Sequence, residues 1–305
     1  MAIEINTATE FMALYNLPEE SRGTADNLLE ININADLDFS EIENAPDTVY
    51  FYANLNGNGH TFKNIAWSET KQVIFFGFRA GSASGITFDN CTISVTGAQN
   101  YIFRQYLDTV SLSFSLSEIV LNNNCKFIAV NNYCSLLFTH NALRVDVKKI
   151  IISGNWSARY LYLFMHEGDG NCKYCYQHIG ANIVGSGNGT NATFFLVKPN
   201  SYSTIFGTYI YNVSTLSNFL GNNTCAGFME KSYVTIYLSY SYSSMELIGN
   251  TNKWYQTVSN WSSGTLYSYC VFSNSDKLGS TANSTSATTE QLKSVEWLRS
   301  QGWVI

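Results

Sequence analysis

Residues 31–39 read Ile31-Asn32-Ile33-Asn34-Ala35-Asp36-Leu37-Asp38-Phe39. Apolar and polar residues alternate for nearly the whole run, the period of a strand with one face in a core and the other in water. The β character begins at Leu28; upstream of it the pattern is different. Thr7-Ala8-Thr9-Glu10 offers cap residues with an acid in the first turn, and Phe11, Met12, Leu14 and Tyr15 follow at helical spacing until Pro18. A short helix is predicted ahead of the first strand.

Downstream, to about residue 272, a quasi-repeat carries the fold. One recurring piece is a short apolar strand with a central Phe: Ile74-Phe75-Phe76, Ile102-Phe103-Arg104, Leu137-Phe138-Thr139, Leu163-Phe164-Met165, Phe194-Phe195-Leu196 and Gly227-Phe228-Met229. A second strand type falls between them, as in Thr61-Phe62-Lys63-Asn64-Ile65, Ile86-Thr87-Phe88-Asp89-Asn90, Ile119-Val120-Leu121-Asn122-Asn123, Lys149-Ile150-Ile151-Ile152-Ser153 and Tyr209-Ile210-Tyr211-Asn212-Val213. Several end on Asn, which suits a corner that needs a left-handed residue or a side chain bonded to backbone. Two strand types alternating at a period of about 30 residues describe one coil of a solenoid, whereas hairpins give shorter spacing. The expected fold is all-β, a right-handed parallel β-helix with short N-terminal and C-terminal capping helices. Its open end rungs would expose unpaired backbone, and a helix across an end covers it.

The tail fits the same plan. Residues 273–289 read as a linker or loop rich in Ser, Asn, Thr and Ala. Thr288-Thr289-Glu290-Gln291 is a Thr-x-x-Gln capping box, Leu292, Val295 and Leu298 follow at helical spacing, and Gly302 ends the element. This helix is either a terminal cap or a docking peptide for another chain. The expected organisation is an N-terminal capping helix in 1–20, a β-helix in 21–272, and a linker with a capping or docking helix in 273–305.

Composition agrees. Only 13% of residues are charged, too few for the wet faces of a mainly helical protein, and 15% are aromatic, which favours strands. A net charge of −6 leaves no basic face for nucleic acid and nothing to draw the chain to an anionic membrane. No run of about twenty apolar residues is present to span a bilayer. Met1-Ala2-Ile3-Glu4-Ile5-Asn6 has no basic region followed by an apolar one, so no secretory signal is read. The seven Cys, an odd number, are expected to be free and buried.

Two stretches resemble a known family. Ala35-Asp36-Leu37-Asp38-Phe39, followed by Leu55-Asn56-Gly57-Asn58-Gly59-His60-Thr61-Phe62-Lys63-Asn64-Ile65, resembles the opening rungs of pectin-lyase-like β-helix proteins, especially phage spike and fibre proteins and bacterial surface proteins. Thr289-Glu290-Gln291-Leu292-Lys293-Ser294 with Leu298-Arg299-Ser300-Gln301-Gly302-Trp303 is similar to the ending of many such chains. The resemblance covers residues 5–66 and 285–305, and the middle only by rhythm. It implies that the Asn-Gly-His-Thr segment is structural, with glycines at a tight corner and His60 packing or bonding there.

The search for chemistry finds few acids and no nucleophile elbow, phosphate-binding loop or dinucleotide fingerprint. Lyases and hydrolases on this fold need acids stacked on neighbouring rungs, the hydrolases as a carboxylate pair. The candidate pair is Glu167 and Asp169 in His166-Glu167-Gly168-Asp169-Gly170, a stretch that also reads as a polar loop leaving a strand. Gln105, His140, His166 and Glu230 each sit two places after an aligned Phe and would form a polar ladder, either for sugar hydroxyls or for solvation. Asp36 and Asp38 read as outward or turn-bonding groups. Cys172-Lys173-Tyr174-Cys175 has no second pair at zinc-finger spacing, so no metal or cofactor is expected. In Tyr233-Val234-Thr235-Ile236-Tyr237-Leu238-Ser239-Tyr240-Ser241-Tyr242, alternation sets Tyr233 and Tyr237 opposite Val234, Ile236 and Leu238. Such tyrosines suit sugar rings or a partner surface, or pack under a loop.

These features lead to the expectation of a non-enzymatic bacteriophage virion protein (spike, fibre or capsid decoration) that presents a rigid β-helix to a host-surface glycan or receptor. Its expected partners are other virion proteins and copies of itself, as a homotrimer, with assembly in the host cytoplasm and no nucleic acid or membrane bound. The alternatives are a polysaccharide-degrading β-helix enzyme using Glu167 and Asp169, or a bacterial surface adhesin. The candidate ligand-binding residues are Tyr233, Tyr237, His140 and His166.

Overall fold

The computed structural model describes residues 2–106, 113–140 and 144–162, strand segments between 165 and 286, and residues 294–300; side chains are described for most of 2–138 and for 150–158. Among these residues every strand ladder is parallel, and each strand pairs with a strand one turn before it, one turn after it, or both. The chain is an all-β parallel β-helix. The strands fall into four stacks, named here sheets A to D, with sheets C and D beginning on the third turn. Sheet A stacks Ala2–Ile5, Leu29–Ile33, Tyr50–Asn56 and then 80–84, 113–117 and 144–148. Sheet B stacks Leu37–Asp38, Thr61–Lys63, 87–89, 119–121 and 150–152. Sheet C stacks Ala66–Glu69, Thr92–Val95, 126–129 and 155–158. Sheet D stacks 73–78, Asn100–Tyr106, 134–140 and Met165–His166.

The alternation seen in the sequence places one apolar side chain per turn in each inward column. Leu37, Phe62, Phe88, Leu121 and Ile152 lie directly above one another in sheet B and are fully buried. Trp67, Ile93, Phe127 and Trp156 do the same in sheet C. Each buried side chain contributes on the order of 2 kcal/mol against the entropy of ordering its turn.

The corners use the residues their geometry demands. Asn64 and Asn90 close successive turns between sheets B and C with φ of 62° and 49°, a left-handed conformation that Asn tolerates. Their amides stack, Asn90 Nδ2 donating to Asn64 Oδ1 at 2.8 Å. At the Asn56–Thr61 corner a Cβ on Gly57 would lie 2.3 Å from the Gly85 carbonyl oxygen, so only glycine lets these two turns approach. His60 bonds there as expected: its backbone N–H donates to the Gly57 carbonyl at 2.9 Å, and its ring Nδ1 lies 3.4 Å from Asp36 Oδ1.

Helix α1, Ala8–Ala13, closes the first turn. Thr7 Oγ1 accepts from the Glu10 N–H, and the Glu10 carboxylate accepts from the Thr7 and Asn6 N–H groups, which completes the capping box. The helix lowers Phe11 into the open end of the core, with ring centroids 5.2 Å from Phe62, 5.5 Å from Phe75 and 5.9 Å from Phe39. The Tyr15 hydroxyl donates to the Phe75 carbonyl. Near the C-terminus, helix α2 spans Val295–Ser300, and Ser294 Oγ accepts from the Trp297 N–H at 3.2 Å. The Thr288–Gln291 box lies outside the described residues. Within the expected linker, Ser284–Ser286 forms a further strand paired with Leu266–Phe272. Neither helix, among the described residues, is long and apolar enough to cross a membrane.

One expectation is corrected by the register. The aligned column in sheet D is Phe76, Phe103, Leu137, Met165 and Leu196, so Phe75 and Phe138 are each one place out of the proposed phenylalanine stack. A slip of one residue can move a side chain to the other face; Phe75 nevertheless stays in the core, and Phe138 leaves it. Phe138 accordingly neighbours Arg104 and belongs to a small cluster apart from the core. The expected free thiols are present at Cys91, Cys125 and Cys134, all buried.

If α1 seals the core, Phe11→Ala leaves a cavity over the aromatic column and costs about 3–5 kcal/mol. Guanidinium unfolding followed by circular dichroism should show a clearly lowered midpoint. An unchanged midpoint would mean that α1 does not plug the solenoid.

Candidate functional site

The outward positions of the early turns are occupied by carboxylates and amides that bond from one turn to the next. Glu4 accepts from the Asn32 and Asn34 amides at 2.9 and 2.8 Å, and Glu30 from the Asn54 and Asn56 amides at 2.7 and 3.3 Å. Asp36 accepts from the Thr61 N–H at 2.9 Å, Asp38 from the Asn64 amide at 3.0 Å, and Asp89 from the Asn122 amide at 2.7 Å. Glu69 accepts from the Ala45 N–H at 3.0 Å. Asp36 and Asp38 are thus turn-bonding groups.

Four carboxylates are held toward the ionised form by such bonds. The Asn32 and Asn34 amides hold Glu4 below the usual carboxylate range, and the Thr61 N–H does the same for Asp36. The Asn64 amide and Ser40 N–H lower Asp38, and Lys71 lowers Asp47. A general acid needs its pKa moved up by burial or a like charge. These acids are moved down and serve as clamps between turns. Among the described residues no three His, Cys, Asp or Glu side chains converge as a metal site.

The later turns bring aromatic residues into register. Tyr176, Tyr209, Tyr240 and Tyr269 are direct partners on four consecutive turns, carried by the strands Tyr176–Gly185, Thr204–Ser217, Thr235–Ile248 and Leu266–Phe272. Two residues along, His178, Tyr211 and Tyr242 form a second column. That column continues the line of Thr87, Val120 and Ile151, which are half-buried while their neighbours Phe88, Leu121 and Ile152 fill the core. Strand spacing sets successive members about 4.8 Å apart.

The sequence-derived candidates distribute as follows. Tyr237 is in register with Phe206 on one side and Tyr267 on the other. Tyr233, Glu167, Asp169, Glu230 and the Cys172–Cys175 pair lie outside the described residues. His140 pairs with Tyr106 and His166 with Phe138, while Gln105 pairs with Thr139. The expected ladder of Gln105, His140 and His166 is therefore not one column, because the Phe residues used to align it are themselves out of step. The columns through Tyr209 and Tyr211 escaped the sequence reading. Their signal was the Tyr-x-Tyr pairs at 209–211 and 240–242, which share a spacing of one turn.

Comparison of the chain with protein-family models, with curated proteins and with solved structures gives no match.

The carboxylate clamps make stability depend on pH with a definite sign. A carboxylate whose folded pKa lies below its unfolded value of about 4 stabilises the fold above that value and loses the contribution as pH falls through the folded pKa. Denaturant unfolding from pH 6 downward should show stability falling below about pH 4, and the fall should be smaller in Asp38→Asn. A flat profile to pH 2 would contradict the role given to these acids.

Proposed function

We propose that this chain is a non-enzymatic binding rod of a bacteriophage virion, a spike, fibre or capsid decoration that holds a host-surface glycan. The observation that carries the binding half of the reading is the tyrosine register, with Tyr176, Tyr209, Tyr240 and Tyr269 on consecutive turns and Tyr211 beside Tyr242. A tyrosine offers flat apolar area with a hydroxyl at its edge, which matches the alternating CH and OH faces of a sugar ring. Repetition at strand spacing suits a polymeric ligand, because several weak stacking contacts add up along one chain. A scaffold already ordered by its core loses little entropy when it binds. The early acids, committed to bonds between turns, fit a structural part.

The virion half rests on the resemblance of residues 5–66 and 285–305 to phage β-helix proteins. A spike or fibre of this kind works as a homotrimer whose contacts are made by the sides of the rods or by the termini. The other virion proteins are then its second class of partner.

Two measurements test the reading. Mass spectrometry of purified particles should find the chain at stoichiometric level. The protein should bind host cell-surface polysaccharide without releasing fragments, and Tyr240→Ala should weaken binding about tenfold, the equivalent of about 1.4 kcal/mol. Absence from particles would end the virion assignment. Release of oligosaccharides would show an enzyme, and full binding by Tyr240→Ala would remove the tyrosine columns from the site.

A further inference from the structure

At the corner between sheets B and C, two of the free thiols occupy one column. Thr92 and Lys126 are direct partners in sheet C, which stacks the residues before them, Cys91 and Cys125, on consecutive turns. The Lys126 N–H donates to the Cys91 carbonyl at 2.7 Å, so the backbone ladder runs through the pair. The side chains repeat as the backbone does. Cys91 Sγ lies 3.4 Å from the Phe62 carbonyl oxygen, and Cys125 Sγ lies 3.4 Å from that of Phe88, the stacked partner of Phe62. One step along the solenoid therefore carries one sulfur onto the other, and both cysteines are buried in the core. Directly stacked residues sit about 4.8 Å apart, inside the Cα separation of about 4.4–6.8 Å that a disulfide spans.

Packing alone does not ask for a thiol here. The column runs Ile65, Cys91, Cys125, Gly154, so an aliphatic side chain fills the same place one turn earlier. The third described thiol, Cys134, belongs to sheet D in register with Asn100, which leaves the stacked pair without a rival partner among the described residues. The sulfurs lie just beneath the corner. Asn90, Asn123 and Asn124, which lead into them, are exposed, and Cys125 Sγ is 4.0 Å from Asn124 Oδ1. Local opening of this one corner brings a small oxidant to the pair without unfolding the strands. The hydrogen bond between the two thiols holds Cys125 below the ordinary thiol range and pushes Cys91 above it. The thiolate is the form that attacks an oxidant, so Cys125 is the nucleophile and Cys91 resolves the product.

We propose that Cys91 and Cys125 are an oxidation site, a dithiol that a peroxide closes into a disulfide clamp between two turns. The Cys125 thiolate attacks one peroxide oxygen, the O–O bond breaks, and a sulfenic acid forms while hydroxide leaves and takes up the proton that Cys125 had released. The Cys91 sulfur then attacks the Cys125 sulfur. The S–S bond forms, the S–O bond breaks, and the hydroxyl departs as water with the Cys91 proton. Two thiols have given up two electrons and two protons, and one peroxide has become two waters. The closed bond ties a loop of about 35 residues and so restrains the unfolded chain more than the folded one. The rod is then made with free thiols in a reducing compartment and tightened in an oxidising one. The clamp concerns the rod and not its ligand, and it stands or falls apart from the glycan reading.

The test treats the full folded chain, purified in the reduced state, with hydrogen peroxide at neutral pH. Tryptic peptides are then mapped by mass spectrometry without reduction. Cleavage after Arg79, Arg104 and Lys126 puts Cys91 and Cys125 on separate peptides, each with no other Cys. The two peptides should be recovered joined in most molecules. The thermal unfolding midpoint should rise by about 5 °C and fall back on addition of dithiothreitol. Cys91→Ala and Cys125→Ala, each with the circular dichroism of the parent, should gain nothing from peroxide. The peptide map of the parent decides by itself if a variant does not fold. Absence of the 91–125 link from the treated protein, a link that leaves the midpoint unchanged, or the same rise in folded Cys91→Ala would each overturn the proposal.

Discussion

The constraint on which the rest of this structure depends is the parallel pairing of each turn with the next at a fixed register. Strand spacing holds equivalent residues about 4.8 Å apart along the solenoid. Whatever occupies one position must tolerate its like, or its complement, directly above and below. Inside, this is solved by size and apolarity. Leu37, Phe62, Phe88, Leu121 and Ile152 succeed one another without a polar break. Outside, it limits charge. Like charges facing each other across a strand pair are destabilising, and the observed column of Asp38, Lys63 and Asp89 alternates in sign. Where the sign does not alternate, amides intervene, as where Asn32 and Asn56 bond Glu4 and Glu30. The low charge content and the abundance of Asn and Ser are thus consequences of the architecture.

The same constraint shapes the candidate sites. A ladder converts one residue choice, repeated, into a continuous strip, and the tyrosine columns are such a strip. The contacts of Arg104 with the Tyr50, Tyr106 and Phe138 rings differ because they are assembled once, from turns of unlike sequence.

Local features of the fold were legible in the sequence, and those that need a partner turn were less so. The Thr7–Glu10 capping box and the alternation of Ile31, Ile33, Leu37 and Phe39 involve only near neighbours, and both appear as expected. The strand Ala2–Ile5 was missed because its four residues gain meaning only against Leu29–Ile33. The rise in chain length per turn is uneven: Ile31 pairs with Leu55, 24 residues on, whereas Ala83 pairs with Leu116, 33 residues on. Spacing therefore reveals that turns exist without placing each residue on its face. That is why Phe75 and Phe138 were aligned with Phe103, and why Gln105, His140 and His166 were put in one ladder. Arg104 left a trace, a lone cation two residues before Tyr106, but its ring partners Tyr50 and Phe138 are brought to it only by the coil.

Register is thus the central claim, and paired cysteines test it most directly. Thr61 and Thr87 are stacked partners in sheet B on the half-buried outer side. Their separation across a strand pair lies within disulfide range. The double variant Thr61→Cys, Thr87→Cys should close a disulfide in nearly all molecules under mild oxidation, while Thr61→Cys with Phe88→Cys, one place out of step, should not. Cross-linking of the offset pair, or of neither, would contradict the stacking of these turns.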